Sequence, residues 1–477
     1  MSNPHQHIKH LFTLFVVLFA STLSGQNVSG YWEGQLKVMG DSLTIGVFVE
    51  QGDTLLVELD SPDQYAFQIP ATLATLKDSV LKWTIASLAA SYEGKLSKDG
   101  QRIEGTFKQG GSFPLTLYAG HSRKKLNRPQ EPKPPYPYSE EEISIKEPQG
   151  RYDYVTGTLT MPATPAKALV ILISGSGWQD RDESIFAHKP FKVIADALTR
   201  DGYAVYRYDD LPKAVFQNAT TLDFADVVNR IRDTLSQHPA LRHIPVGLLG
   251  HSEGSLVAYI VDNKRPVDFI ITMGGVAQPI RQILCYQNAA IAMANGYTCE
   301  EATQSTTESD RLYAIVEKAP TREKAMERMR KYLERGGVRR TAKSLGFNPN
   351  QLQHQAIQTL CSPWFYTLFH LDPKPYLQHL SCPFLAINGQ LDLQVEAGQS
   401  VRLMRQYLDP KSYKNPYSFY DAPLAYHTYR IIPSANHLLQ TCKTGSPNEY
   451  GEIEETIKPE VLQLMTDWLN HILNHYY

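Results

Sequence analysis

From about residue 143 onward, short apolar runs of strand length alternate with segments of helix length. The run ALVILI at 168–173 is apolar throughout, as expected of a strand that a parallel sheet buries on both faces. Between residues 222 and 235, apolar side chains recur every three or four positions, which predicts an amphipathic helix. Alternation of this kind predicts an α/β domain over 143–477, with a mostly parallel sheet and helices on both faces.

The alternation stops between about residues 279 and 376. Charged, helix-favouring sequence such as REKAMERM at 322–329 fills this interval. We expect a helical cap inserted over the sheet. The alternative is a peripheral helical subdomain without a role at any site.

Residues 26–120 have a different pattern, with many short runs of β-branched and aromatic residues separated by turn signals. Short strands at this spacing predict a small all-β domain, either a barrel or a sandwich. The proline-rich stretch PQEPKPPYP at 129–137 favours extended, semi-rigid chain. We therefore predict that residues 121–142 form a linker between the two domains.

The first 25 residues resemble a secretory signal, with Lys9 before an apolar run at 11–20 and small residues after it. That run is about half the ~20 residues that a membrane-spanning helix needs. We expect cleavage and a periplasmic or secreted protein without stable membrane insertion. The alternative is a retained membrane anchor.

The net charge and the cysteines limit which partners, disulfides and metals we expect. The net charge of −2 provides no general attraction to nucleic acid, so no nucleic-acid partner is expected. The small-molecule substrate that we expect depends on the hydrolase hypothesis below, and the oligomeric state is left open. An odd number of cysteines leaves at least one unpaired, and isolated buried thiols are the favoured interpretation. No CxxC or zinc-type Cys/His spacing occurs, so we expect neither a metal nor a cofactor.

The sharpest motif is GHSEG at 250–254, the single G-x-S-x-G of the chain. An apolar strand-like run precedes it and a helix-compatible run follows, as in a nucleophile elbow that exposes a serine hydroxyl on a tight turn. Ser252 is therefore the predicted nucleophile. The alternative is a surface glycine turn.

A serine hydroxyl needs a base, and chains with such an elbow place an acid and then a histidine downstream. His437 follows the strand-like run at 429–432 and is the predicted base. Its rivals are His427, His471 and His475.

The acid should orient and charge-stabilise that imidazole. Asp392 comes directly after the strand-like run at 384–387, at the sheet edge where open α/β folds place their sites. Glu396, Asp409 and Asp421 are less well placed, and ordinary solvated carboxylates explain them.

A tetrahedral intermediate needs two donors for its oxyanion. We predict the backbone N–H of Glu253 and, from the small-residue loop after the 168–173 strand, that of Ser176 with Gly177 as the alternate. A phosphate-binding loop is excluded, because no Lys-Ser/Thr follows these glycines.

The segments SGSGWQDRDE (174–183), GHSEG (250–254), NGQLD (388–392) and ANH (435–437) together resemble the α/β-hydrolase superfamily. They are most similar to bacterial esterases related to the serine aminopeptidase branch, with a β-rich N-terminal extension. The resemblance implies an α/β-hydrolase fold and an ordered charged loop beside the oxyanion site. Possible substrate-loop residues are Trp178, Gln179, Asp180 and Arg181, although an exposed salt-bridged turn needs the same residues.

One loop departs from that pattern. Where relatives often carry a basic, glycine-rich loop, this chain has YDDLPK at 208–213, so no particular substrate is transferred. The leading hypothesis is a serine hydrolase that cleaves carboxylic esters of small to medium acyl groups through an acyl-enzyme. The alternatives are a peptidase or amidase with the same triad, and a non-catalytic envelope- or glycan-binding protein.

Overall fold

The computed structural model of the chain describes residues 28–38, 41–52, 54–109, 111–147, 150–335, 339–340, 348–410 and 423–477. The predicted signal segment at 1–25 lies outside these residues. The chain divides into two compact units, Met1–Lys124 and Lys125–Tyr477.

The described part of the first unit is all β. Its antiparallel strands form one sheet in the order β4-β3-β2-β1-β9-β8-β7-β6-β5. Side chains alternate between buried and exposed, as along Leu81, Trp83 and Ile85, and the buried set forms one apolar core. The strands are β1 Gly30–Val38, β2 Asp41–Gln51, β3 Leu55–Ser61, β4 Ala66–Pro70, β5 Leu73–Lys77, β6 Val80–Ile85, β7 Ala90–Leu96, β8 Arg102–Lys108 and β9 Ser112–Tyr118.

The predicted linker at 121–142 needs correction. From Lys125 onward it belongs to the second unit, where Arg128 donates to backbone carbonyl oxygens of the 186–187 and 451–453 loops. Gln130 exchanges hydrogen bonds with the backbone at 456–457. Proline excludes regular pairing here, but the neighbouring polar side chains anchor the segment.

The second unit contains a mixed sheet in the order β10-β11-β13-β12-β14-β15-β16-β17. Strands from β12 onward run parallel, whereas β10 pairs with β11, and β11 with β13, in antiparallel register. The mostly parallel sheet predicted from the sequence therefore has an antiparallel edge formed by β10 and β11. The strands are β10 Ser139–Lys146, β11 Tyr154–Met161, β12 Leu169–Ile173, β13 Ala204–Tyr208, β14 Val246–His251, β15 Phe269–Met273, β16 Phe384–Gly389 and β17 His427–Ile432.

Helices cover both faces of this sheet, and an apolar core lies under each layer. One layer is formed by α1 Pro190–Arg200 and α12 Pro459–Tyr476, whose buried side chains share a core. The other contains α3 Thr221–Leu235, α4 Glu253–Lys264 and α11 Ala397–Leu408. A single turn, α2 Lys213–Phe216, precedes α3, and a 3₁₀ turn, Pro447–Glu449, precedes α12.

A helical insertion between β15 and β16 occupies the interval where the sequence predicts a cap. Its helices enclose a separate small core around Val316, Met329 and Phe369. They are α5 Ile280–Ala294, α6 Cys299–Glu317, α7 Arg322–Leu333, α8 Pro349–Leu360, α9 Pro363–Phe369 and α10 Pro373–His379. Within the described ranges, we find no helix with the length and apolarity required to cross a bilayer.

All five cysteines lie in the described part of the second unit as free thiols, in agreement with the expectation of isolated thiols. Cys361, Cys382 and Cys442 are buried, whereas Cys299 is exposed. Burial raises the pKa of the Cys361 and Cys442 thiols to about 11, so both stay protonated at neutral pH.

Candidate active site

Ser252 lies on the turn between β14 and α4, with φ 51° and ψ −119°. A non-glycine residue at positive φ is strained and persists only where its surroundings impose that conformation. Here a side chain at Gly254 would collide with the backbone oxygen of Ile173, and one at Gly250 with the backbone of Gly254. The flanking glycines are thus required by close approach, and a buried strand and helix surround the serine. These features contradict the surface-turn alternative.

His437 and Asp392 form a buried pair at the carboxyl ends of the last two strands. The Nδ1 atom of His437 lies 2.7 Å from Oδ2 of Asp392. The other carboxylate oxygen accepts the backbone N–H groups of Gln394 and Val395 at 2.8 Å each. These bonds fix the carboxylate, which can in turn hold the imidazole in one orientation.

Gly274 makes room for this histidine. It follows β15 with φ +54°, and a Cβ atom there would come within 2.8 Å of Nδ1 and Cε1 of His437. A side chain at this position would therefore combine backbone strain with displacement of the imidazole.

Ser252 and His437 line one cavity of about 280 Å³ between the sheet edge and the cap. Its apolar wall comes from α4 and from the cap, including Leu256, Ile283, Phe365 and Leu368. An apolar cavity with a few polar groups at one end is the usual form of a small-molecule site. The structure therefore places Ser252 and His437 at one substrate-sized space, with Asp392 hydrogen-bonded to His437 outside its lining.

The rival residues lie elsewhere. His427 begins β17 and pairs with Asp409 at 2.9 Å, while the rings of His471 and His475 contact each other at a tilt in α12. Glu396 is the residue before α11. Asp421 lies outside the described residues.

The two predicted oxyanion donors come from segments that are tied together. Ser176 lines the cavity, and its hydroxyl donates to Oε2 of Glu253 at 2.7 Å. Glu253 is the first residue of α4, where backbone N–H groups have no acceptor within the helix. The alternate, Gly177, is absent from the described cavity lining, and the amide of Gly175 already donates to Glu183 at 2.8 Å.

Of the four predicted substrate-loop residues, Gln179 lines the cavity. Arg181 instead forms a bidentate pair with Asp209 and a hydrogen bond to Thr158. The hydrogen bond to Asp209 raises the pKa of this guanidinium further. Arg181 therefore fits the alternative of a salt-bridged turn, and its contacts are structural.

The side chains of Asp180 and Trp178 also form hydrogen bonds to the backbone of neighbouring loops. The Asp180 carboxylate accepts backbone N–H groups of Asp182 and Ser184, and the Trp178 indole donates to the carbonyl of Leu211 at 3.1 Å. Both side chains are used to hold loops, which is why neither joins Gln179 at the cavity.

The divergent loop at 208–213 places Asp210 beside the 174–179 loop, which contains the predicted oxyanion donor Ser176. Its carboxyl accepts the backbone N–H of Gln179 at 2.7 Å. Burial raises the pKa of Asp210 to about 7, and the neighbouring Glu253 and Glu183 contribute to that rise. The edge of the sheet thus concentrates acidic side chains close to Ser252.

A second histidine–carboxylate pair was missed by the sequence reasoning. His251 Nδ1 lies 2.8 Å from Oε1 of Glu183, and its Nε2 lies 3.3 Å from the carbonyl oxygen of His437. Burial alone lowers the pKa of His251, but the charge and hydrogen bond of Glu183 raise it overall. Glu183 lies in the 174–183 segment and His251 in the 250–254 motif, but no sequence spacing predicts that these two residues meet.

Trp364 was missed as well, and no sequence signal indicated it. From α9 in the cap, its indole donates to Oε1 of Glu253 at 2.9 Å, and Thr221 donates to the same oxygen at 2.7 Å. Burial raises the pKa of Glu253 against these hydrogen bonds. The side chain after Ser252 therefore links the loop that contains Ser176, α3 and the cap.

Comparisons with known proteins give a limited match. No family model matches the chain. Esterase EstD of Thermotoga maritima is 28% identical over 154 residues, which are 31% of this chain. The match spans 35% of that relative's length, so its activity as a whole protein is not transferred here.

Solved structures cover more of the chain at lower identity. A dienelactone hydrolase from Anabaena variabilis covers 70% of this chain and 99% of its own, with 16% identity and a TM-score of 0.37. A thermostable carboxyl esterase from Bacillus coagulans, in complex with glycerol, covers 70% and 99%, with 13% identity and a TM-score of 0.42. A Pyrococcus furiosus esterase covers 74% and 99%, with 14% identity and a TM-score of 0.39.

TM-scores this low do not establish a shared fold, so the architecture is assigned from the chain itself. A mixed sheet flanked by helices carries a strand–Ser252–helix elbow, and the predicted acid and base, Asp392 and His437, follow in that order. These are the features of an α/β-hydrolase fold.

Proposed function

We propose that this protein is a serine hydrolase that cleaves carboxylic esters of small to medium acyl groups through an acyl-enzyme. The observation that carries the proposal is the buried 2.7 Å pair of His437 and Asp392, with His437 and the strained Ser252 lining one cavity. Because Nδ1 of His437 faces the carboxylate, Nε2 is left to exchange a proton with the serine hydroxyl.

In the first half of the proposed reaction, Ser252 Oγ attacks the ester carbonyl while His437 takes the hydroxyl proton. The resulting imidazolium is stabilised by the Asp392 carboxylate. Collapse of the tetrahedral intermediate breaks the bond to the alkoxy group. His437 returns the proton to that oxygen, so an alcohol leaves and the acyl group stays on Ser252.

In the second half, water replaces the alcohol. His437 accepts a proton from the water as its oxygen attacks the acyl-serine, and it returns the proton to Ser252 Oγ as the acid departs. Each tetrahedral intermediate carries an oxyanion, for which we assign the backbone N–H groups of Glu253 and Ser176. The Ser176–Glu253 hydrogen bond of 2.7 Å would keep the spacing of these donors constant.

The comparisons support ester chemistry at a coarse level, because the curated relative is named an esterase. A peptidase or amidase would use the same triad, and a binding protein would not need it. The choice therefore depends on an activity measurement.

The test is turnover of p-nitrophenyl acyl esters and aminoacyl-anilides by the purified chain and by Ser252→Ala. We expect ester hydrolysis that the substitution abolishes, and covalent labelling of Ser252 by a fluorophosphonate. Anilide turnover without ester turnover would favour the peptidase. A folded protein with neither turnover nor labelling would contradict the enzyme proposal.

We also propose that the protein is exported after cleavage near residues 25–26, because of the apolar run at 11–20. Mass spectrometry of the N-terminus of protein from the periplasm or medium tests this. A cytoplasmic protein with an intact N-terminus would contradict it.

A further inference from the structure

The carboxylates close to Ser252 differ in the partners that hold them. Two of the carboxylates at its polar end have a histidine partner, since Asp392 contacts His437 at 2.7 Å and Glu183 contacts His251 at 2.8 Å. Among the described residues that line the cavity, none is lysine or arginine. Glu253 also lines the cavity, and its hydrogen-bond partners include neither a histidine nor any other cationic side chain.

Glu253 is held by neutral donors. The hydroxyl of Ser176 donates to one oxygen at 2.7 Å, and Thr221 and Trp364 donate to the other at 2.7 and 2.9 Å. The side chain is buried, at 6% exposure, and it belongs to the cavity lining. Neutral hydrogen bonds stabilise a buried carboxylate but leave its negative charge in place.

That charge lies next to the reacting serine. Glu253 follows Ser252 directly, and the apolar wall of the cavity offers little screening. A second negative charge brought into such a space meets repulsion and also loses its own hydration. An uncharged acyl chain meets neither penalty and gains from burial against the apolar wall.

We propose that Glu253 is a specificity-determining residue that restricts the cavity to acyl groups without a negative charge. Uncharged aliphatic acyl chains are accepted, and acyl chains that end in a carboxylate are rejected. The inference rests on the proposed ester hydrolysis and adds the substrate class.

The experiment compares three p-nitrophenyl esters of the same acyl length at pH 8: the hexanoate, the hydrogen adipate and the methyl adipate. The methyl adipate matches the hydrogen adipate in its polar end but carries no charge. We expect kcat/KM for the hydrogen adipate to be on the order of 100-fold below that for the methyl adipate. Hydrolysis of both at rates within about threefold would overturn the proposal.

Glu253→Gln tests the contribution of the Glu253 charge to this ratio, because it keeps the shape of the side chain. The glutamine can keep its oxygen toward Thr221 and Trp364, and its amide can donate to the hydroxyl of Ser176. Because this change removes the repulsion but not the dehydration, we expect it to narrow the ratio between the two adipates by about tenfold. An unchanged ratio in the folded variant would overturn the assignment to Glu253.

Two controls complete the experiment. Glu300→Gln removes a carboxylate from the exposed first turn of α6, outside the cavity lining, and should leave the adipate ratio unchanged. Hydrolysis of the hexanoate that depends on Ser252 keeps the proposed function intact even if the adipate ratio is flat. Absence of that hydrolysis would instead overturn the proposed function and this inference with it.

Discussion

Two histidine–aspartate pairs flank the same strand, β17, at its opposite ends. His437 and Asp392 meet at 2.7 Å beyond the carboxyl end, and His427 and Asp409 meet at 2.9 Å at the amino end. The first pair is almost fully buried, with side chains 4% and 0% exposed, against 14% and 29% for the second. Pair geometry alone therefore does not distinguish a candidate catalytic pair from a structural one.

The difference lies in what surrounds each pair. Parallel strands end together at the carboxyl edge, where the N-terminus of α4 and the strained Ser252 also lie. At the amino end, Asp409 receives the hydroxyl of Tyr429 at 2.6 Å in addition to His427. The same two residue types thus form the proposed catalytic pair at one edge and hold a helix end to a strand at the other.

The largest expected effect is a difference in kcat/KM between variants of the two histidines. His437→Gln removes the proposed base, so we expect kcat/KM for an uncharged ester to fall on the order of 10⁵-fold. His427→Gln should leave kcat/KM within about twofold of the wild type. Equal losses in two folded variants, measured by steady-state kinetics, would remove the distinction between the edges.

The next largest expected effect is a difference in kcat between variants of the two aspartates. Asp392→Asn keeps the shape but removes the charge that orients and stabilises the imidazolium, and we expect a fall of about 10⁴-fold in kcat. Asp409→Asn is the matched control and should retain kcat. If kcat falls in the control and not in Asp392→Asn, the acid has been assigned to the wrong edge.

The smallest effect concerns stability and pH. The pKa of Asp210 is raised to about 7, so the folded chain keeps this proton after the unfolded chain has lost it. The free energy of unfolding should therefore fall as the pH rises from about 4 to 7. Asp210→Asn lacks this proton and should be stabilised at pH 8 relative to the wild type, by up to about 4 kcal/mol.

Urea unfolding at pH 5 and pH 8 measures this difference. Asp409→Asn provides a control of opposite sign. Burial favours the protonated form of Asp409, but hydrogen bonds from His427 and Tyr429 outweigh it and lower the pKa. That carboxylate therefore stabilises the fold at neutral pH, and its contribution is lost as the pH falls through its lowered pKa. A pH-independent gain in Asp210→Asn would contradict the buried-carboxyl account.

Much of the architecture could be predicted because it depends on local patterns. The period-two alternation around Trp83, the all-apolar run of β12 and the start of α1 at Pro190 are each readable from neighbouring residues. The antiparallel edge formed by β10 could not be predicted in the same way. Its exposed, charged residues Glu140, Glu141 and Glu142 resemble a linker until their pairing with β11 is known.

The sequence by itself determined the α/β class, the elbow at 250–254 and the order of Ser252, Asp392 and His437, because strand, turn and helix signals act over a few residues. Only the tertiary structure decided that Glu183 meets His251, that Trp364 of the cap reaches Glu253, and that Arg181 is bound to Asp209. These contacts join segments 28 to 111 residues apart. Charge balance at a buried site depends on such distant partners, so it follows from the packing and not from any local pattern.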